Sequence, residues 1–259
     1  AETIQIVDKL DFPADHPFIR HFKYLKSIAE PGVEPKQCIP SPSMLHLICC
    51  VREANYQPIA RYQDEQILLD DLAATYQKAI KAFYAAGCHY LQLDDTSWGE
   101  FCSAEKRQSY AERGIDVDEL GRKYVYVLNK VLEAKPEDMT ITMHICRGNF
   151  RSTWSASGGY EPVAEILFGH CNVDGFFLEY DSDRAGGFEP LRFIGKQKVV
   201  LGLVTSKEAE LENQDDVIAR IHEAAKYVPL EQLALSPQCG FASTEEGNLV
   251  TDDDQWKKL

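Results

Sequence analysis

The chain has 259 residues, 44% hydrophobic and 26% charged, enough for one large α/β domain or two small ones. Its net charge of −14 argues against nucleic acid or an anionic membrane as the main partner, since both call for a basic footprint. No apolar run approaches the roughly 20 residues that span a bilayer, and the opening AETIQIVDKL lacks the basic-then-apolar order of a signal peptide.

The N-terminal stretch TIQIVDKLDFPADHPFIRHFKYLKSIAEPG offers at most one short strand and one helix. QCIPSP (37–42) reads as a short strand. QDEQILLDDLAATYQKAIKAFYAAG (63–87) reads as a long amphipathic helix closed by Gly87. CHYLQLDD (88–95) is a strand, and VDELGRKYVYVLNKVLEA (117–134) a helix stopped before Pro136. Then follow a strand (140–146), a short helix (159–170), strands at 173–181 and 198–206, a helix (214–228) and a last strand within 231–241. The terminal DDDQWKKL begins a further helix.

Six β units alternating with helical connections imply parallel strands with crossover helices. Runs such as FFLEY and VVLGLV are apolar on both faces, as in a sheet covered by helices. A doubly wound sheet and a (β/α)8 TIM barrel both fit. Asp94, Asp95, His144, Cys146, Glu179, Thr205, Ser206 and Cys239 sit at the ends of several different strands, which is the habit of the barrel; a doubly wound sheet gathers its chemistry at one switch point. No GxGxxG follows a first strand. The expected fold is therefore a (β/α)8 barrel forming one domain over residues 1–259. Because a closed barrel takes eight units and six are counted, either two units are degenerate in the N-terminal stretch or the chain lacks the front of its domain.

Eight cysteines in a chain this long are too sparse for a disulfide framework, so most are expected to be reduced and the chain cytoplasmic. Two of them, however, sit where metal ligands would. His144 and Cys146, two apart on a strand, point to the same face. Cys239 ends another strand. Glu179 ends a third among apolar residues, where a lone carboxylate would be costly to bury. Together they form a tetrahedral N/O/S2 set suited to zinc. Each of them also has an ordinary reading as a core residue. Two thiolates make zinc electron-rich, better at holding a thiol as thiolate than at activating water.

IPSPSML (39–45), YLQLDD with TSW (90–98), MHICRGN (143–149), FFLEYD (176–181), VVLGLVTSK (199–207) and LSPQCGF (235–241) together resemble the cobalamin-independent methionine synthase family, in particular its short single-barrel members. The resemblance implies a zinc-dependent methyl transfer from 5-methyltetrahydrofolate to the thiol of homocysteine. It places the zinc ligands on His144, Cys146, Glu179 and Cys239, and the carboxylate that holds the homocysteine amine on Asp94. Ser41 and Trp98 fall in matched motifs and are expected to contact substrate, Trp98 by stacking on a pterin ring or else packing under a loop. Asp94 and Asp95 have an alternative as a loop-capping pair. Arg147, Arg151 and Arg184 are candidates for an acidic folate tail.

Two departures stand out. A front glycine–serine turn and a second homocysteine-binding glutamate have no counterpart, so the resemblance implies that the first two βα units of the barrel are absent from this chain. The stretch LGLVTSKEAELE lacks the histidine that full-length enzymes carry after the seventh strand. Three alternatives follow: a corrinoid-linked thiol methyltransferase of the same barrel, a non-catalytic zinc-binding barrel fragment, and a zinc-free hydrolase using Asp94 and Asp95 as acid and base. The expected partners are homocysteine and a methyl donor, with self-association left open.

Overall fold

The computed structural model describes residues 4–242 and 244–259. Its strands are β1 (Lys36–Pro40), β2 (Tyr90–Asp95), β3 (Thr140–Ile145), β4 (Gly175–Glu179), β5 (Lys198–Val204) and β6 (Leu233–Pro237). They form one six-stranded sheet in chain order, and the pairs β1/β2, β4/β5 and β5/β6 are parallel. The helices are α1 (Pro17–Ile28), α2 (Pro42–His46), α3 (Glu65–Ala85), α4 (Ser97–Phe101), α5 (Ala104–Glu112), α6 (Val117–Leu132), α7 (Glu161–Phe168), α8 (Gln214–Ala224) and α9 (Asp252–Lys258). All six expected strands are present. The N-terminal stretch holds a helix and, among its described residues, no strand. The connection from 96 to 116 folds as α4 and α5, which have no long apolar period to announce them. No described helix is long and apolar enough to cross a membrane.

The chain divides into two compact units. One comprises residues 1–94, 122–143 and 171–173; the other comprises residues 95–121, 144–170 and 174–259. In the first, α3 starts at Asp64, whose carboxylate accepts the Gln66 amide at 2.9 Å. Gly87, at φ +87°, follows its end. Leu68, Leu72, Tyr76, Ile80 and Phe83 recur at helical spacing and are buried. Phe22 of α1 packs edge-on against Phe83. The Tyr76 hydroxyl donates to the Pro40 carbonyl at 2.6 Å, tying α3 to the end of β1.

In the second unit, β4 and β5 are buried on both faces over most of their length. Their register sets Glu179 opposite Gly202. Between Gly202 and Val204 the β5/β6 register slips. A Cβ on Gly202 would lie 2.8 Å from the Leu178 carbonyl oxygen and 2.9 Å from the Gln238 Cα, so only glycine lets the chain leaving β6 close over β5. The Gln238 amide then donates to the Val204 carbonyl at 2.7 Å.

His46, at the end of α2, is 3% exposed; burial is the main cause that lowers its pKa to about 4, against a weaker upward pull from Glu65. Its folded value lies below its unfolded one, so the stability it contributes is full above about pH 6.5 and lost as pH falls toward 4. Denaturant titrations of the wild type should therefore lose roughly 2–3 kcal/mol between pH 7.5 and 4.5 from this residue alone. His46→Phe should remove that part of the slope; an unchanged slope would assign it elsewhere.

Candidate metal centre

His144 Nε2, Cys146 Sγ and Cys239 Sγ offer ligand atoms that all lie within 4.8 Å of one another, at the ends of β3 and β6. His144 Nε2 stands 3.5 Å from Cys239 Sγ. Zinc bonds of about 2.0–2.3 Å at tetrahedral angles give ligand edges of about 3.5 Å, so this pair is already at coordination spacing. The donor set of one imidazole and two thiols fits zinc. A hydrogen bond from Cys239 and the nearby His144 hold the Cys146 thiol well below its ordinary pKa despite burial. The same contact, with burial, pushes Cys239 up.

Glu179, the fourth expected ligand, lies outside this cluster. It has no solvent exposure, and both of its oxygens are engaged. Oε2 accepts the Arg147 amide at 2.8 Å and the Gln238 Nε2 at 2.9 Å. Oε1 accepts Arg184 Nε at 2.7 Å. The Arg147 guanidinium is wholly buried, donating to the Gly158 carbonyl and standing 4.4 Å from the Tyr160 ring. It therefore cannot meet a solvent-borne folate tail. Arg184 is occupied by Glu179, Asp181 and a stack on Trp154, while Arg151 is exposed.

The loops that follow the ligand strands are cross-braced. Asn149 Nδ2 donates to the Gly240 carbonyl at 2.8 Å. Asn248 Nδ2 donates to Asn149 Oδ1 and to the Ser206 carbonyl, and Asn248 Oδ1 accepts the Ser152 amide. Arg151 and Ser152 hold φ of 48° and 62°, a left-handed pair that non-glycine residues adopt at a cost of order 1–3 kcal/mol each.

The remaining expected residues fall as follows. Asp95 is buried and accepts the Ser97 and Trp98 amides at 2.6 and 3.2 Å, acting as the cap of α4. Trp98 is fully buried, edge-on to Phe101 and against Gly121, so a ligand would reach its ring face only if α4 shifted. In the other unit, Asp94 Oδ1 accepts Gln92 Nε2 at 2.7 Å. Ser41 is buried there, its hydroxyl capping α2 through the Met44 amide at 3.0 Å. Sequence reasoning passed over Gln238, Lys207 and Gly99, all of which shape the centre. The signal for Gln238 was its place beside Cys239; the lysine and the glycine have no local pattern of their own.

A family model described as "Cobalamin-independent synthase, Catalytic domain" matches residues 51–252. The chain belongs to this family of cobalamin-independent methionine synthase catalytic domains. It is 51% identical to the Bacillus subtilis protein YxjH over 261 residues, spanning 100% of this chain and 67% of that protein. A solved structure of a Listeria monocytogenes protein, described as a candidate vitamin-B12-independent methionine synthase, is 43% identical, with a TM-score of 0.78 over 98% of this chain and 69% of that one. The B12-independent methionine synthase of Shewanella sp. W3-18-1, solved with selenomethionine, is 19% identical with a TM-score of 0.67, covering 93% of this chain and 64% of that one; it attests the fold.

Gly99 of α4 lies so close to Cys146 that a Cβ there would overlap the Cys146 carbonyl. Gly99→Ala should displace the end of β3 and lower zinc affinity at least about tenfold, a scale typical of disturbed ligand support. Competition with a chromogenic chelator measures this; wild-type affinity in the variant would show that the contact yields freely.

Proposed function

We propose that this chain catalyses zinc-dependent methyl transfer to the thiol of homocysteine, forming methionine, with 5-methyltetrahydrofolate as donor. The observation that carries the reading is the His144–Cys146–Cys239 cluster at the strand ends of a chain belonging to this family. His144, Cys146 and Cys239 would hold the metal, with Glu179 as fourth and most easily displaced ligand. Zinc bound to two thiolates supplies the acidity that keeps an incoming thiol ionised.

Glu179 can reach a metal only by giving up some of the donors it now holds, and Arg184 would neutralise it once it steps back. Held by these donors, Glu179 would leave a place at the centre for a substrate sulfur without being a buried carboxylate left unpaired. On the resemblance, Asp94 would hold the substrate amine, and Ser41 and Trp98 would belong to the substrate-binding set, Trp98 only once α4 shifts. Residues 1–259 are read as one cytoplasmic catalytic domain. On the resemblance, its sheet is read as six strands of a (β/α)8 barrel.

The corrinoid-linked reading keeps one observation in its favour: 201–212 contains no histidine. The zinc-free hydrolase reading loses its pair, because Asp95 is spent on capping.

The purified protein should carry one zinc per chain, lost in Cys239→Ser, and should convert homocysteine to methionine with methyltetrahydrofolate. Turnover with a methylcobamide alone would transfer the assignment to the corrinoid-linked class. Zinc without transfer from either donor would favour a non-catalytic zinc-binding role.

A further inference from the structure

Lys207 is 5% exposed, and no carboxylate among the described residues lies within ion-pair reach of its ammonium. A buried cation without a counter-charge is costly, so its placement calls for a reason. Nζ donates to Gln238 Oε1 at 2.8 Å and stands 3.5 Å from Asn149 Oδ1. Ser206 Oγ donates to the same Gln238 oxygen at 3.1 Å. Gln238 is itself 2% exposed. Its Nε2 donates to Glu179 Oε2 at 2.9 Å and to Cys239 Sγ at 2.8 Å.

An amide side chain can present either end, and partners decide which. An ammonium has only donors, so it must face the oxygen. The flipped amide would turn its N–H groups onto Lys207 and its carbonyl onto a carboxylate and a sulfur. We propose that Lys207 and Gln238 form a positioning relay for the metal centre. Lys207 locks the orientation of the Gln238 amide, and the amide orients Cys239 as a ligand with one hydrogen while its other hydrogen holds Glu179 beside the centre. A neutral donor suits this position, since a carboxylate there would add an anion beside Glu179 and Cys239. The proposal rests on the reading of the centre as a zinc site.

The test measures zinc affinity by chelator competition, together with the thiolate-to-metal absorption of the cobalt(II)-substituted protein. Lys207→Met and Gln238→Met should each weaken zinc binding about tenfold, the lower end for outer-shell partners. Each should move the cobalt band to longer wavelength, because a sulfur relieved of its hydrogen bond gives up charge more readily. The double variant should stay near tenfold, because the lysine acts only through the amide. Hundredfold weakening in the double variant, or a band unmoved in Gln238→Met, would overturn the relay. If Lys207→Met does not fold, Ser206→Ala removes the second donor to the same oxygen. It should weaken binding two- to threefold with a smaller band shift, and no change in either would overturn the proposal. Zinc held equally by all variants defeats the relay alone; a wild type that holds no zinc defeats the metal centre as well.

Discussion

A carboxylate withdrawn completely from water must be matched donor for donor, and Glu179 is where this unit meets that demand. Its partners come from three places: the Arg147 amide next to Cys146, the Arg184 side chain after β4, and Gln238 next to Cys239. Satisfying one buried charge therefore draws together the ends of β3 and β6, and with them the soft ligands. Removing the charge would leave the Asn149–Gly240 brace as a tie between these segments; removing one donor would leave the charge stranded. The geometry of the centre is in this sense a by-product of burying Glu179.

Much of this was legible in the residues. The alternation of apolar runs with helical patterns predicted all six strands, because strands buried on both faces leave a dense, unambiguous run. His144 and Cys146 were legible because a two-residue period has only one outcome for facing direction. Cys239 was legible through the order of motifs. The state of Glu179 was not. A carboxylate among apolar residues signals that partners exist, but whether they are a metal or two arginines and an amide depends on loops whose folding has no local code. Gln238 and Lys207 escaped for the same reason: they are 31 residues apart and meet only because β5 and β6 pair. Trp98 illustrates the converse. Its aromatic ring beside a strand end invited a stacking role, yet α4 turns it inward against Phe101.

Glycine carries the close approaches. Gly202 lets Gln238 come down onto β5, and Gly99 lets α4 rest on the Cys146 carbonyl. Neither stands at a positive φ, so turn chemistry alone would not have singled them out; both are needed for want of space.

The asparagine bracing beside the centre has a consequence for recognition. Asn149 and Asn248 join the segments after β3, β5 and β6, and the left-handed pair Arg151–Ser152 is held within that lattice of bonds. Loops immobilised in advance surrender their entropy during folding rather than at the encounter. A small molecule arriving at this rim meets walls already in place, and more of its contact energy survives as affinity.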